Sequence, residues 1–148
     1  MRAAVQRVSR AQVVVEGEVV GRTDRGLLVY LGVAPDDGPD DVRYICDKIR
    51  HLRIFPDAAG KMNLDVAQIG GGVLVISAFS LLADARQGRR PAFDGAAPPA
   101  LAEQRYEEAC RALAAELPVA KGRFAATMAV ESVNDGPICV LLDSRRVL

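Results

Sequence analysis

The sequence has no tryptophan, a single histidine and three cysteines. Each scarcity closes off a class of chemistry. A Ser-His-Asp or Cys-His site would have to use His51, and nothing beside it in sequence supports that, so it reads as a surface or helix-end residue. A metal centre needs several His or Cys ligands, so neither a metal nor a cofactor is expected. Cys46, Cys110 and Cys139 are widely spaced and odd in number. They argue against a disulfide framework and for a reducing compartment, the cytoplasm by default. Excess charge of either sign is also missing, since 19 Lys and Arg balance 19 Asp and Glu. That removes the basic stripe of a generic nucleic-acid backbone binder. A local cluster, Arg86, Arg89 and Arg90, is still present, and an RNA end is held more by stacking and shape than by phosphate count. No apolar run approaches the roughly 20 residues of a membrane span. The start, Met1-Arg2-Ala3-Ala4-Val5-Gln6-Arg7, turns polar too soon for a secretory signal.

What is present is a core. Half of the 148 residues are apolar, enough for one domain covering 1–148. Ala3 to Val8 reads as a first strand. Val13-Val14-Val15 and Val19-Val20 flank Glu16-Gly17-Glu18, a hairpin signal. Gly26 to Val33 is a continuous apolar run bounded by glycines, which predicts a fully buried central strand. Asp36-Asp37-Gly38-Pro39 suits a turn into a helix, with both aspartates and Asp40-Asp41 read as helix-start, solvated charges. Val42, Ile45, Cys46, Ile49 and Leu52 then follow helical spacing. Arg53-Ile54-Phe55 is strand-like and stops at a Pro-Gly turn, and Gly70-Gly71-Gly72 leads into a buried strand, Val73 to Ile76. Residues 84–99 form the least regular stretch, a long loop of the kind that often carries function. A second helix follows Pro98-Pro99, with Ala102, Tyr106, Ala109, Cys110, Leu113 and Leu117 on its apolar face and Pro118 as its stop. Met128-Ala129-Val130 and Cys139 to Leu142 are the last strands. The pattern predicts an α+β domain, compact and β-barrel-like, with about two helices packed on a largely antiparallel sheet.

Two segments stand at strand ends with small or conformationally special residues: Ser77-Ala78-Phe79-Ser80-Leu81 and Asn134-Asp135-Gly136-Pro137-Ile138-Cys139. Taken alone, Ser77 and Ser80 end a strand and cap a turn, and Gly136-Pro137 is a plain turn. The alternative is that hydroxyls and free backbone groups at these ends meet a ligand. Gly70-Gly71-Gly72 precedes a strand, whereas a phosphate-binding loop follows one and opens a helix. With the usual catalytic groups scarce, an enzyme built here has to rely on hydroxyls, backbone groups or the substrate's own groups.

At these two segments the chain resembles the D-aminoacyl-tRNA deacylase family, whose motifs are Ser-Gln-any-Thr-Leu and Asn-any-Gly-Pro-any-Thr. The likeness runs through nearly the whole chain. Gln6-Arg7-Val8, Gly26 to Val33, Arg53-Ile54-Phe55, Gly60-Lys61-Met62-Asn63 and Arg89-Arg90-Pro91-Ala92-Phe93 stand as family segments in family order. The resemblance implies a homodimer with active sites at the interface and no membrane association. It implies hydrolysis of the ester joining a D-amino acid, or glycine mischarged on alanine tRNA, to the terminal adenosine. It implies a cis Gly136-Pro137 peptide that enters the partner's site as a chiral filter, steadied by Arg7, with Asn134, Ala78 and Met128 in the substrate site. The catalytic segment would be Ser77, Phe79 and Ser80, with N–H groups near Phe79 and Ser80 facing an oxyanion and the adenosine 2′-hydroxyl helping to activate water. Phe79 either packs beside the adenine or fills the core.

Three positions depart from the family pattern: Ala78 for Gln, Ser80 for Thr, and Cys139 for Thr. Ala78 removes an amide, and Cys139 exchanges a hydroxyl for a weaker hydrogen-bonding thiol. A catalytic thiol at Cys139 would lack a neighbouring histidine. The competing readings are a non-catalytic nucleic-acid-binding module on the same fold and a small-molecule hydrolase acting on D-amino-acid esters.

Overall fold

The computed structural model describes residues 1–148. In chain order the elements are β1 (Arg2–Val15), β2 (Glu18–Thr23), β3 (Gly26–Gly32), α1 (Pro39–His51), β4 (Phe55–Pro56), β5 (Met62–Leu64), β6 (Gly72–Ser77), a short 3-10 turn (Phe79–Leu82), α2 (Pro99–Ala114), β7 (Val119–Lys121) and β8 (Ala129–Asp143).

β1 is the hub. Its first half pairs antiparallel with β3, its second half with β2, and its whole length with β8 on the other edge. β3 then pairs parallel with β6, and β6 parallel with β7. The sheet is therefore antiparallel around β1 and parallel beyond β3. The two ends of the strand path meet: a Cβ at Gly21 of β2 would overlap the Lys121 carbonyl oxygen of β7. Only a residue without a side chain permits this approach, and it nearly closes the sheet into a barrel.

The apolar runs explain why both sheet faces are buried. Side chains alternate across a strand. Leu27, Val29, Leu31, Val73 and Val75 join the large core cluster under α1 and α2. Their neighbours Leu28, Leu74 and Ile76 fill a second cluster inside the barrel with Val8, Ala11 and Val13. β1 changes face where its register shifts between Val8 and Arg10, so Ala3 and Val5 point to the helices while Ala11 and Val13 point inside. Both helices lie where expected, and Tyr106 of α2 donates its hydroxyl to the Val75 carbonyl at 2.8 Å. Burial pushes the Cys46 thiol up to about 12, in keeping with a packed small hydrophobe. His51 ends α1, exposed, with Nδ1 2.9 Å from the Asp47 carbonyl.

Three details differ from expectation. The last strands are one continuous element, β8. Arg53-Ile54-Phe55 is mostly irregular, and only Phe55–Pro56 pairs, with Met62–Leu64. Asp37 is not a solvated charge. It is 3 % exposed and accepts from the Met1 ammonium at 2.6 Å and from the Ala34 N–H at 2.7 Å. A buried carboxylate needs such a counter-charge, and the partner lies at the far end of the sequence, out of reach of local pattern.

Candidate active site

β6 ends at Ser77, opposite Leu31 of β3. The Ala78 N–H still follows the ladder, donating to the Leu31 carbonyl at 2.9 Å, and then the chain tightens into the 3-10 turn, whose first bond runs from Leu81 N–H to the Ala78 carbonyl at 3.2 Å. The N–H groups of Phe79 and Ser80 precede that bond, and the first donors of a helical turn have no partner within the turn itself. The turn is tied to the sheet from behind. Arg2 Nη1 donates to the Leu81 carbonyl at 3.2 Å and Arg2 Nε to Asp143 at 2.8 Å. Burial works against the charged form of Asp143, but the Arg2 guanidinium and the Arg145 N–H outweigh it and hold the carboxyl below the usual range.

Beside this turn is a cavity of about 490 Å³. Its floor and walls are Leu31, Val33, Ser77, Ala96, Ala97, Ala102, Phe124, Ala125, Ala126 and Met128, and Phe79, Phe93 and Pro99 complete it. Ser77 is the one polar side chain in this lining, and none of the lining residues titrates. Phe79 and Phe93 meet edge to face with ring centroids 5.0 Å apart. Phe79 is 59 % exposed, so it is not a core residue, and its ring leaves a free face beside the cavity.

The Gly-Pro segment is a second assembly. Only Arg7 separates Gln6 and Val8 of β1, whereas Asp135, Gly136, Pro137 and Ile138 separate their partners Asn134 and Cys139. The surplus residues bulge out of the ladder within β8 as a loop. The Gly136-Pro137 peptide is cis and Gly136 has φ +139. Asn134 closes the base of the loop: its Oδ1 accepts from the Ile138 N–H at 2.9 Å and its Nδ2 donates to the Ile138 carbonyl at 3.3 Å. Arg7 fixes the loop to the body. Its Nε donates to the Asp135 carbonyl at 3.0 Å and lies 3.2 Å from the Asp135 carboxylate, and its Nη1 donates to the Ile54 carbonyl at 2.7 Å.

The expected site residues thus fall into two groups. Ser77, Phe79 and Met128 converge on the cavity. Ala78 and Ser80 belong to the same turn but do not line it, and Ser80 is exposed. Arg7, Asn134, Gly136 and Pro137 form the loop assembly. No residue of the Gly-Pro loop lines the cavity of its own chain. Cys139 is exposed and paired with Gln6 in the ladder, away from the cavity.

Sequence reasoning missed Phe93 and Phe124 as wall residues, although Phe93 lay in the irregular stretch singled out for function. Their scarcity was a usable signal: the chain has four phenylalanines, and three of them, Phe79, Phe93 and Phe124, line this cavity.

Residues 4–143 match the family profile described as D-Tyr-tRNA(Tyr) deacylase. The chain is 57 % identical over 148 residues to a D-aminoacyl-tRNA deacylase of Syntrophobacter fumaroxidans, covering 99 % of each chain. It is 60 % identical over 148 residues to one from Anaeromyxobacter dehalogenans, again covering 99 % of each. Among solved structures it superposes on a c-Myc DNA Unwinding Element Binding Protein with a TM-score of 0.92 at 34 % identity, covering 97 % of this chain and 98 % of the other. A probable eukaryotic D-amino acid tRNA deacylase shares the fold, with a TM-score of 0.81 at 16 % identity, covering 95 % and 97 %. A profile spanning nearly the whole chain and full-length relatives above half identity place it: the chain belongs to the D-aminoacyl-tRNA deacylase family.

Proposed function

We propose that the protein hydrolyses the ester bond of D-aminoacyl-tRNA, and of glycine mischarged on alanine tRNA, as translation quality control in the cytoplasm. The observation that carries the reading is the apolar cavity with one hydroxyl, Ser77, beside the opening of the 3-10 turn at Phe79 and Ser80. The terminal adenosine fits such a cavity, its base stacking on Phe79, a contact worth about 1–3 kcal/mol. The N–H groups of Phe79 and Ser80 meet the oxyanion that develops as water attacks the ester carbonyl. No side chain in the lining serves as a general base, which leaves that role to the adenosine 2′-hydroxyl. The Ser77 and Ser80 hydroxyls are available to orient the water and the ester.

Chiral selection comes from backbone. Rejecting an L substrate a thousandfold requires about 4 kcal/mol of discrimination, and an apolar pocket supplies less than that against one small group. A rigid wall that fills one face of the α-carbon supplies it by steric overlap. Gly136-Pro137, braced by Arg7 and Asn134, is that wall. Because none of its residues lines the cavity of its own chain, it serves the cavity of a second copy. The unpaired outer edge of β8, with Val133 and Leu141 exposed, is the surface on which two copies would meet, and an uncovered edge of this length otherwise invites aggregation.

The test is single-turnover deacylation of matched D- and L-aminoacyl-tRNA. Cleavage of D with L spared is expected; no cleavage of either by a well-folded dimer would refute the proposal, and equal cleavage would remove the filter. A second reading has one observation in its favour, the likeness to a DNA-element-binding protein: a nucleic-acid-binding module without chemistry. It predicts RNA or DNA binding with both esters intact. D-amino-acid esters lacking the adenosine separate both from a small-molecule hydrolase, which would cleave them as fast as the tRNA ester.

A further inference from the structure

We propose that Arg89 and Arg90 form a phosphate clamp for the single-stranded end of the RNA, immediately outside the cavity. The inference rests on the hydrolase reading for the orientation of the RNA, and it assigns work to charges that reading leaves idle. Three arginines crowd one loop, and they are not equivalent. Arg86 is consumed locally: its Nε and Nη2 donate to the two Asp84 carboxylate oxygens at 2.9 and 2.7 Å, and its own N–H to Asp84 at 3.0 Å. That pairing holds the Asp84 carboxyl well below the usual range. Arg89 and Arg90 are exposed and have neither an ion pair nor a hydrogen bond in the chain. Asp94, the remaining acid of the loop, lines a separate cleft with Arg2 and Asp84.

The loop is a defined platform. Asp84 and Ala92 exchange backbone hydrogen bonds of 2.8 and 2.9 Å at its base, and Gly88 turns its tip with φ +72. Only Pro91 and Ala92 separate Arg90 from Phe93, a wall of the cavity that touches Phe79. That is at most about 10 Å of extended chain, the length of about three stacked nucleotides at about 3.4 Å each. An adenosine in the cavity therefore brings the phosphates of the next few nucleotides within reach of both guanidinium groups. The Asp84–Arg86 pair keeps an acid from competing for them.

The experiment measures dissociation constants for uncharged tRNA over a range of KCl concentrations, for the wild-type chain and for Arg89→Gln/Arg90→Gln. A control, Arg22→Gln/Arg43→Gln, removes the same charge from arginines of β2 and α1 that pair with Asp24 and Asp40. Cleavage of a D-aminoacyl-adenosine ester is followed in all three. Loss of two single-strand phosphate contacts should make the slope of log K against log salt shallower by about 1.4. The control should match wild type, and adenosine ester cleavage should be equal in all three. An unchanged slope overturns the clamp, as does an equal change in the control, which would mark a net-charge effect. Selective damage to adenosine ester cleavage in the Arg89/Arg90 variant overturns it too, since the arginines would then act on the chemistry. If even the wild type leaves the adenosine ester intact, the hydrolase reading is what fails, and the slopes still decide the clamp.

Discussion

Arg7 is the most informative single position, because its replacement separates the folding of the Gly-Pro loop from the folding of the domain. Its side chain is 11 % exposed and holds two backbone carbonyls, Ile54 at 2.7 Å and Asp135 at 3.0 Å. Ile54 is buried, so Arg7→Ala strips its carbonyl of a charged donor. A hydrogen bond to a charged group contributes about 1.5–3 kcal/mol. The second bond and the carboxylate contact count for less, since the Asp135 side chain is 49 % exposed and an exposed ion pair adds only about 0–1 kcal/mol. The sum is about 3 kcal/mol, which lowers Tm by about 6–12 °C for a chain of this size. The expected result is a lower urea midpoint with an unchanged m-value, and a deacylase, still folded at low temperature, that discriminates D from L at least about tenfold less well. Arg7→Lys should recover part of the stability and little of the selectivity, because an ammonium cannot span both carbonyls as the planar fork does. An unfolding free energy within about 0.5 kcal/mol of wild type, the scatter of ordinary surface changes, together with intact discrimination, would refute the bracing role.

Gly136→Ala asks the same question from the other side: at φ +139 the new Cβ would lie 2.6 Å from Ile138 Cγ1 and 3.2 Å from Arg7 Nη2. The loop must shift, and paired single-turnover assays should show the L ester becoming a substrate. Phe79→Ala should leave the thermal midpoint nearly unchanged, since the ring is largely exposed, but should weaken substrate binding by about 5- to 150-fold, the equivalent of one lost base stack. Asp37→Ala leaves the buried Met1 ammonium without its 2.6 Å partner and should cost about 3–5 kcal/mol by urea titration. Stability should also fall in acid. The Asp143 and Asp41 carboxyls sit below their ordinary range in the folded chain, so their contribution is complete above the unfolded value of about 3.9 and is lost as pH drops through the folded values. Urea midpoints flat from pH 7 to 5 and declining below about 4 are expected; a midpoint that rises in acid would contradict the assignment. Cys139→Ser should keep full activity, and a dead but folded variant would reinstate the thiol as nucleophile.

Sequence periodicity alone determined the secondary structure of the core. The glycine-bounded runs of β3 and β6 are apolar at every position because both sheet faces are covered, and the helical spacing of Val42 to Ile49 and of Tyr106 to Leu113 followed from one buried face each. The scarcity of histidine and cysteine argued against a histidine-based site and a metal centre, and the two motifs marked the strand ends that fold into the turn beside the cavity and the Gly-Pro loop. Local pattern was silent on everything produced by residues distant in sequence. Asp37 looked solvated because its counter-charge, the Met1 ammonium, lies 36 positions away. The Asn134 amide closes the loop at Ile138, four residues further along. The cavity is the clearest case. Its walls come from β3, β6, the loop before α2 and the segment before β8, and no window of sequence contains them together. Only the folded sheet decided that Phe79, Phe93 and Phe124 surround one space while Gly136-Pro137, nearer to Phe124 in sequence than Phe79 is, stays outside it, because pairing order, not chain order, sets distance across a sheet.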